Sequence, residues 1–269
     1  MKLAVFGYPI EHSLSPQIHT AFAAQFGRRL EYQRILAAPE QFSQRLAEFV
    51  ASGGVGANVT VPLKEQVLSF CTTLSERAEQ AGAVNTLILR EGRWLGDNTD
   101  GLGLVRDLLR LGVKLAGARI LIIGAGGAVR GVLGPLLAAQ AQVIHVVNRT
   151  VARAQQLADE FAGVTAGDYD SALQDEPWDL IIHASAASLY GELPPLSEKI
   201  LHGAPFCYDM VYGAQPTVFL QWAQQSGCKV ADGLGMLVEQ AALSYQAWTG
   251  EQPQTELVLN ELRRQLETG

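Results

Sequence analysis

A chain of 269 residues is too long for one ordinary core and fits two domains. Hydrophobic residues make up 48% and charged residues 17%, a balance that excludes a disordered chain. The net charge is −7 with no Lys/Arg run, so nucleic acid and anionic membrane are both poor partners.

Too few apolar residues follow Lys2 for a signal-peptide core, and no apolar run approaches the roughly 20 residues that span a bilayer. A cytoplasmic protein is expected. Cys71, Cys207 and Cys228 form no CxxC pair, and reduced thiols are expected. The histidines lack the HExxH spacing, so no metal site is expected.

In chain order, short β-rich runs alternate with amphipathic helical stretches, the pattern of α/β domains. Leu3 to Gly7 reads as a strand, and Ser15-Pro16 opens a helix. Leu30 to Leu36 is a second strand. Pro39 to Ser52 is a helix closed by Gly53-Gly54. Gly56 to Val61 is a third strand and Ser75 to Gly82 a short helix. Thr86 to Arg90 and Arg93 to Leu95 read as a hairpin around Glu91-Gly92. A new pattern begins near Gly101 with a helix over Leu102 to Leu111. Arg119 to Ile123 reads as a strand covered on both faces. The helix after it runs to about Gln140, with Gly134-Pro135 expected to bend it or end its first part. Strands are expected at Val143 to Val147, Leu180 to His183 and Phe206 to Met210. Helices are expected at Val151 to Phe161, Val218 to Ser226, Gly235 to Thr249 and Thr255 to Glu267. The expected domains are 1–100 with 235–269, and 101–234.

Between the strands at 119 and 143 lies Gly124-Ala125-Gly126-Gly127-Ala128. Gly124 permits a tight turn, Gly126 lets backbone approach a pyrophosphate, and the following helix aims its free N–H groups at phosphate. This is the order of a Rossmann-type dinucleotide fold, although Val129 fills the third glycine position. The next strand runs into Asn148-Arg149-Thr150 without the carboxylate that holds a ribose 2′-hydroxyl. Arg149 can instead stack on adenine and fork onto a 2′-phosphate, with Arg153 in reach of the same anion. The combination favours NADP (NADPH) over NAD.

Polar residues gather at strand ends of the first domain. Ser13 and Ser15 flank Leu14, and Asn58 and Thr60 alternate toward one face of a strand. Lys64 follows Pro62, Asn85 follows Val84, and Thr99-Asp100 precedes the domain crossing. Neutral hydroxyls and amides suit a polyhydroxylated ligand; one Lys and one Asp suit proton transfer.

The segments at 13–16, 58–64, 82–86, 98–101, 124–128, 148–150 and 232–240 resemble the shikimate dehydrogenases, in the same order along nearly the whole chain. The resemblance implies two α/β domains: an N-terminal substrate domain and a Rossmann-type NADP-binding domain, with C-terminal helices returning to the first. It implies NADPH reducing 3-dehydroshikimate to shikimate, on the route to aromatic amino acids, in a cleft between the domains. Lys64 would be the acid/base with Asp100 beside it. Ser13, Ser15, Thr60, Asn85, Asp100, Tyr212 and Gln240 would hold the small-molecule substrate, and Asn58 and Thr99 would line the cleft. Gly124 to Ala128, Asn148, Arg149, Thr150 and Arg153 would bind the cofactor. Met210 and Gly233 would lie at its nicotinamide end, and Glu76 would touch the cofactor across the cleft. The chain departs from the family at His183, where Asn is usual, and at Val129, which stands for a small residue and could displace its helix. His183 reads as a tolerated change or as a pH-sensitive cofactor contact. A quinate/shikimate dehydrogenase and a catalytically silent sensing homologue are the alternatives, and monomer and homodimer both stay open.

Overall fold

The computed structural model describes residues 1–268. The chain divides into two compact units, residues 1–103 with 238–260 and residues 104–237 with 261–269.

The first unit begins with β1 (Lys2–Gly7), α1 (Ser15–Gln25), β2 (Glu31–Leu36), α2 (Phe42–Ala51) and β3 (Gly54–Val59). It continues through β4 (Thr73–Leu74), α3 (Glu76–Ala81), β5 (Thr86–Arg90) and β6 (Arg93–Asp97). The strands form one sheet in the order β2-β1-β3-β5-β6-β4. β1 pairs in parallel with both β2 and β3, while β5 runs antiparallel to β3 and to β6. Glu91 and Gly92, both at positive φ, turn the β5–β6 hairpin. One face of the sheet packs Phe6, Phe42, Phe49, Val59 and Leu63 into a buried core. β3 ends two residues short of Val61, so Thr60 lies past the strand, where its N–H donates to the Phe6 carbonyl at 2.9 Å.

The second unit takes up most of α4 (Asp100–Arg110), then β7 (Arg119–Ile123), α5 (Gly127–Ala138), β8 (Val143–Val147) and α6 (Val151–Glu160). It goes on with β9 (Val164–Gly167), β10 (Leu180–His183), β11 (Phe206–Asp209), α7 (Val218–Gln225) and β12 (Val230–Asp232). Its strands are all parallel, in the order β12-β11-β10-β7-β8-β9. That is the doubly wound dinucleotide order, with β7 at the centre, where the strand order reverses. β9 and β12 are edge strands too short to show a period in sequence. α5 runs through Pro135 to Ala138 instead of ending there. Pro135 lies in the last turn, so its missing N–H costs one bond near the helix end. Val129 is fully buried in the core beside Ile122 and Ile144.

α8 (Leu234–Thr249) and α9 (Glu256–Thr268) close the chain. Residues 238–260 cluster with the first unit and 261–269 with the second, whereas the sequence suggested that all of 235–269 returns. Arg263 accounts for part of that: it pairs with Asp232 and donates to the Gly213 carbonyl, both in the second unit.

Candidate active site

In the first unit, Lys64 and Asp100 meet. The Lys64 ammonium donates to Asp100 Oδ2 at 2.7 Å, with side chains 29% and 14% exposed. Lys64 is held by its backbone, whose carbonyl accepts from Val84 N–H at 2.8 Å. Asp100 starts α4, where the helix dipole favours a carboxylate. The strand leading to it is fixed by Asp97, which takes a fork from Arg77 and a bond from Ser75. Burial pushes the Asp97 carboxyl up, but Arg77, Ser75 and the Asn98 N–H together bring it below its ordinary value.

Asn85 is the joint of the cluster. It is buried, accepts the Thr99 N–H at 2.9 Å, and turns its amide toward Asp100 Oδ1 (2.8 Å), Thr99 Oγ1 (2.9 Å) and Gln240 Oε1 (3.2 Å). Gln240 comes from α8, Asn85 from the residue before β5 and Asp100 from the start of α4, so three distant segments converge. Ser13 and Ser15 hydroxyls lie 3.2 Å apart, and Arg34 holds the Ser13 carbonyl with two donors at 2.9 and 2.6 Å. Thr60 is half-buried beside Gly7. Asn58 is buried and spent internally: its oxygen accepts from Tyr32 at 2.7 Å and lies 3.0 Å from His19 Nε2. Its amide faces the Asn85 carbonyl, Thr86 and Ser244. Glu76 sits exposed in the first turn of α3, its carboxylate accepting from Gln80.

Ser244 and Thr86 belong to the same cluster, 2.7 Å apart, and were not singled out from sequence. The available signal was spacing: Ser244 lies four residues after Gln240, on the same face of α8.

In the second unit, a cavity of about 530 Å³ opens where the dinucleotide order reverses. Gly124, Ala125, Gly126, Asn148, Arg149 and Arg153 all line it. Gly124 has φ +119°, and a Cβ there would stand 2.9 Å from the Ala184 carbonyl. Gly126 caps α5 with open space where a Cβ would be, so backbone is accessible to a ligand. Gly127 and Ala128 form the exposed first turn of α5. Thr150 is the exposed N-cap residue of α6, and the Asn148 amide donates to its carbonyl at 2.9 Å. Gly233 lies against Met210, because a Cβ on Gly233 would strike the Met210 carbonyl. Tyr212 is half-buried just beyond β11, and burial with the nearby Asp232 carboxylate pushes its phenol up. The far wall of the cavity is the segment from Ala184 to Pro195, which adds Tyr190 and Glu192; Tyr169 lines it from another loop. These three carried no motif in sequence.

Three family models match: the shikimate dehydrogenase substrate binding domain over residues 5–87, shikimate / quinate 5-dehydrogenase over 107–190, and the shikimate 5′-dehydrogenase C-terminal domain over 233–263. The chain is 51% identical to the shikimate dehydrogenase (NADP(+)) of Chromohalobacter salexigens, across 98% of both proteins. The chain belongs to the shikimate dehydrogenase family. The shikimate dehydrogenase (NADP(+)) of Aeromonas salmonicida is 52% identical, across 99% of both. The shikimate 5-dehydrogenase of Thermus thermophilus, solved in complex with NADP(H) and shikimate, superposes with a TM-score of 0.90 at 35% identity, covering 98% of this chain and 99% of that one. His183 is fully buried and is not among the residues that line the cavity. Among the described residues no helix is long and apolar enough to cross a membrane, and no group of His, Cys, Asp or Glu is arranged to hold a metal ion.

Proposed function

We propose that this chain reduces 3-dehydroshikimate to shikimate, reversibly, with NADPH. The Lys64–Asp100 pair, set in a cluster of neutral hydroxyls and amides, is the observation that carries the reading.

NADPH, when bound, supplies a hydride to the ketone carbon. The chain must then supply a proton and stabilise negative charge on the ketone oxygen. Lys64 spends one donor on Asp100 and keeps the others, so its Nζ can hydrogen-bond that oxygen and donate the proton. Asp100 orients the ammonium with Oδ2 and accepts from a ring hydroxyl. Ser13, Ser15, Thr60, Asn85, Tyr212 and Gln240 together hold the carboxylate and hydroxyls of the substrate. Asn58 and Thr99 line the site and fix its neighbours.

The second unit fits the cofactor. Gly124 through Ala128 cradle the pyrophosphate, and Asn148, Arg149, Thr150 and Arg153 take the 2′-phosphate and adenine. Met210 and Gly233 flank the nicotinamide end, with Glu76 as a further contact. The reading extends to a cytoplasmic monomer or homodimer.

The test is reduction of NADP followed at roughly 340 nm, an absorbance fixed by the reduced nicotinamide. Shikimate with NADP should be the fastest of four pairings with quinate and NAD. A faster quinate/NAD rate points to relaxed choice. Binding of both ligands without turnover points to a sensing homologue.

A further inference from the structure

The segment that walls the cofactor cavity is tied through Ser185 and Ser188 to a buried pair beneath it. His183 ends β10 and Asp209 ends β11, side by side in register, and both are fully buried. His183 Nδ1 lies 3.1 Å from Asp209 Oδ2 and 2.8 Å from Ser188 Oγ. His183 Nε2 lies 2.8 Å from Ser185 Oγ. Asp209 Oδ2 also accepts from Ser188 at 2.5 Å and from Thr217 at 2.7 Å, and Oδ1 accepts the Val211 N–H at 3.0 Å. Phe219 covers the imidazole, with ring centroids 4.9 Å apart.

Burial raises the Asp209 carboxyl, but the bonds from His183, Ser188 and Thr217 outweigh it and hold the group below its ordinary value. Asp209 is therefore an anion and only accepts. Ser188 has one proton and gives it to Asp209, so toward His183 it accepts. The imidazole must then carry its proton on Nδ1, shared between Asp209 and Ser188. Nε2 faces the Ser185 hydroxyl, which closes the network. An asparagine amide presents donor and acceptor at one end of a planar group. An imidazole presents them on separate edges, so it spans from Asp209 below to Ser185 above.

Ser185 and its neighbours Ala184, Ala187 and Tyr190 line the cavity, whereas His183 and Asp209 do not. We propose that His183 and Asp209 are positioning residues that set cofactor affinity without touching the cofactor, by pinning Ser185 and Ser188 and hence the loop that forms the cavity wall. This rests on the dinucleotide reading of that cavity.

Ser188 is the probe of choice, because it is only partly buried and its removal leaves the two ends of the sheet in place. NADPH affinity of the full chain is read from quenching of protein fluorescence, and steady-state constants from the shikimate assay. Ser188→Ala should raise the NADPH Kd and KM about tenfold, the usual cost of one bond to a charged group. kcat and the shikimate KM should change less than about twofold, because Lys64 and Asp100 are untouched. Ser188→Thr keeps the hydroxyl and should restore most of the affinity. His183→Asn should weaken NADPH by a similar factor, and the double variant should be little worse than either single one. Hydrogen exchange adds a measure independent of turnover: amides of residues 184–192 should lose protection in cofactor-free Ser188→Ala.

Unchanged NADPH affinity and unchanged exchange in Ser188→Ala would overturn the proposal. So would parallel losses in NADPH and shikimate constants, the mark of general damage. If the wild-type chain itself binds no NADPH, the dinucleotide reading falls too. If wild type binds and the variants bind equally, only the positioning role falls.

Discussion

The two units treat their polar groups in opposite ways. In the first, the cluster around Asn85 is bonded from within, yet its two charged members stay partly open. In the second, the cavity is lined by the glycine turn, by exposed side chains such as Arg149 and by a loop, and the charged group beneath that loop is sealed. The difference follows the work. A group that must exchange a proton with a substrate cannot be walled off, whereas a group that only shapes a surface is strongest where water is excluded. Variants of the first unit should therefore act on turnover, and variants of the second on cofactor binding.

The largest effect tests the open pair. Lys64→Ala should lose at least about a hundredfold in kcat, within the range of general acid–base catalysis. The NADPH KM should hardly move, and shikimate binding only modestly. Near-normal turnover would end both the acid/base role and the contrast between the units. The next effect belongs to the cavity of the second unit. Arg149 is exposed and lines it, so Arg149→Asp should raise the NADPH KM by some tens-fold, the scale of a lost charge-assisted pair replaced by repulsion. The NADH KM should move far less. Equal shifts for both cofactors would remove Arg149 from the 2′-phosphate.

The first unit also contains a sealed group, and it sharpens the comparison. His19 is fully buried, stacked on Tyr32 at 4.6 Å, with Nε2 bonded to Asn58. Its Nδ1 has no partner, so a second proton there would be stranded. Burial pushes the ring down to about 3, with the Asn58 bond opposing, from 6.5. Below 6.5 the unfolded chain takes up a proton that the folded chain refuses until about pH 3. Stability is thus fully present above that range and falls as pH drops through it. Between pH 7 and 5 this single group should cost about 2 kcal/mol, at roughly 1.4 kcal/mol per unit. Urea unfolding at both pH values measures it. His19→Leu should flatten the dependence whatever its starting stability, and parallel curves for the two proteins would refute the assignment.

These cases show where the sequence is readable. The glycine turn, Arg149 and the central strands are local signals: a φ requirement, a missing carboxylate, an unbroken apolar run. All three are visible without knowing what packs on what. β9 and β12 are invisible because an edge strand of three or four residues has no period, and pairing with a neighbour creates it. The Asn85 cluster was legible in part, through motifs at 58–64 and 98–101. Ser244 and Tyr32 join it only through tertiary convergence. His183 reads from sequence as a cofactor contact or a tolerated change, because burial is not written in the residue. The structure turns its ring inward, onto Asp209.

The smallest effect concerns the residue whose place in this division is weakest. Glu76 lies on the first unit, exposed at the start of α3, with its carboxylate bonded to Gln80. Near a helix N-terminus a carboxylate is worth a few tenths to about 1 kcal/mol to the helix itself. Glu76→Gln should therefore lower Tm slightly whether or not the residue meets the cofactor, and Tm alone decides nothing. The discriminating quantity is the NADPH KM. A contact made at the edge of a cofactor by an exposed side chain should change it by about twofold, with kcat unaltered. If the KM is constant while Tm falls, Glu76 serves only α3, and cofactor binding belongs wholly to the second unit.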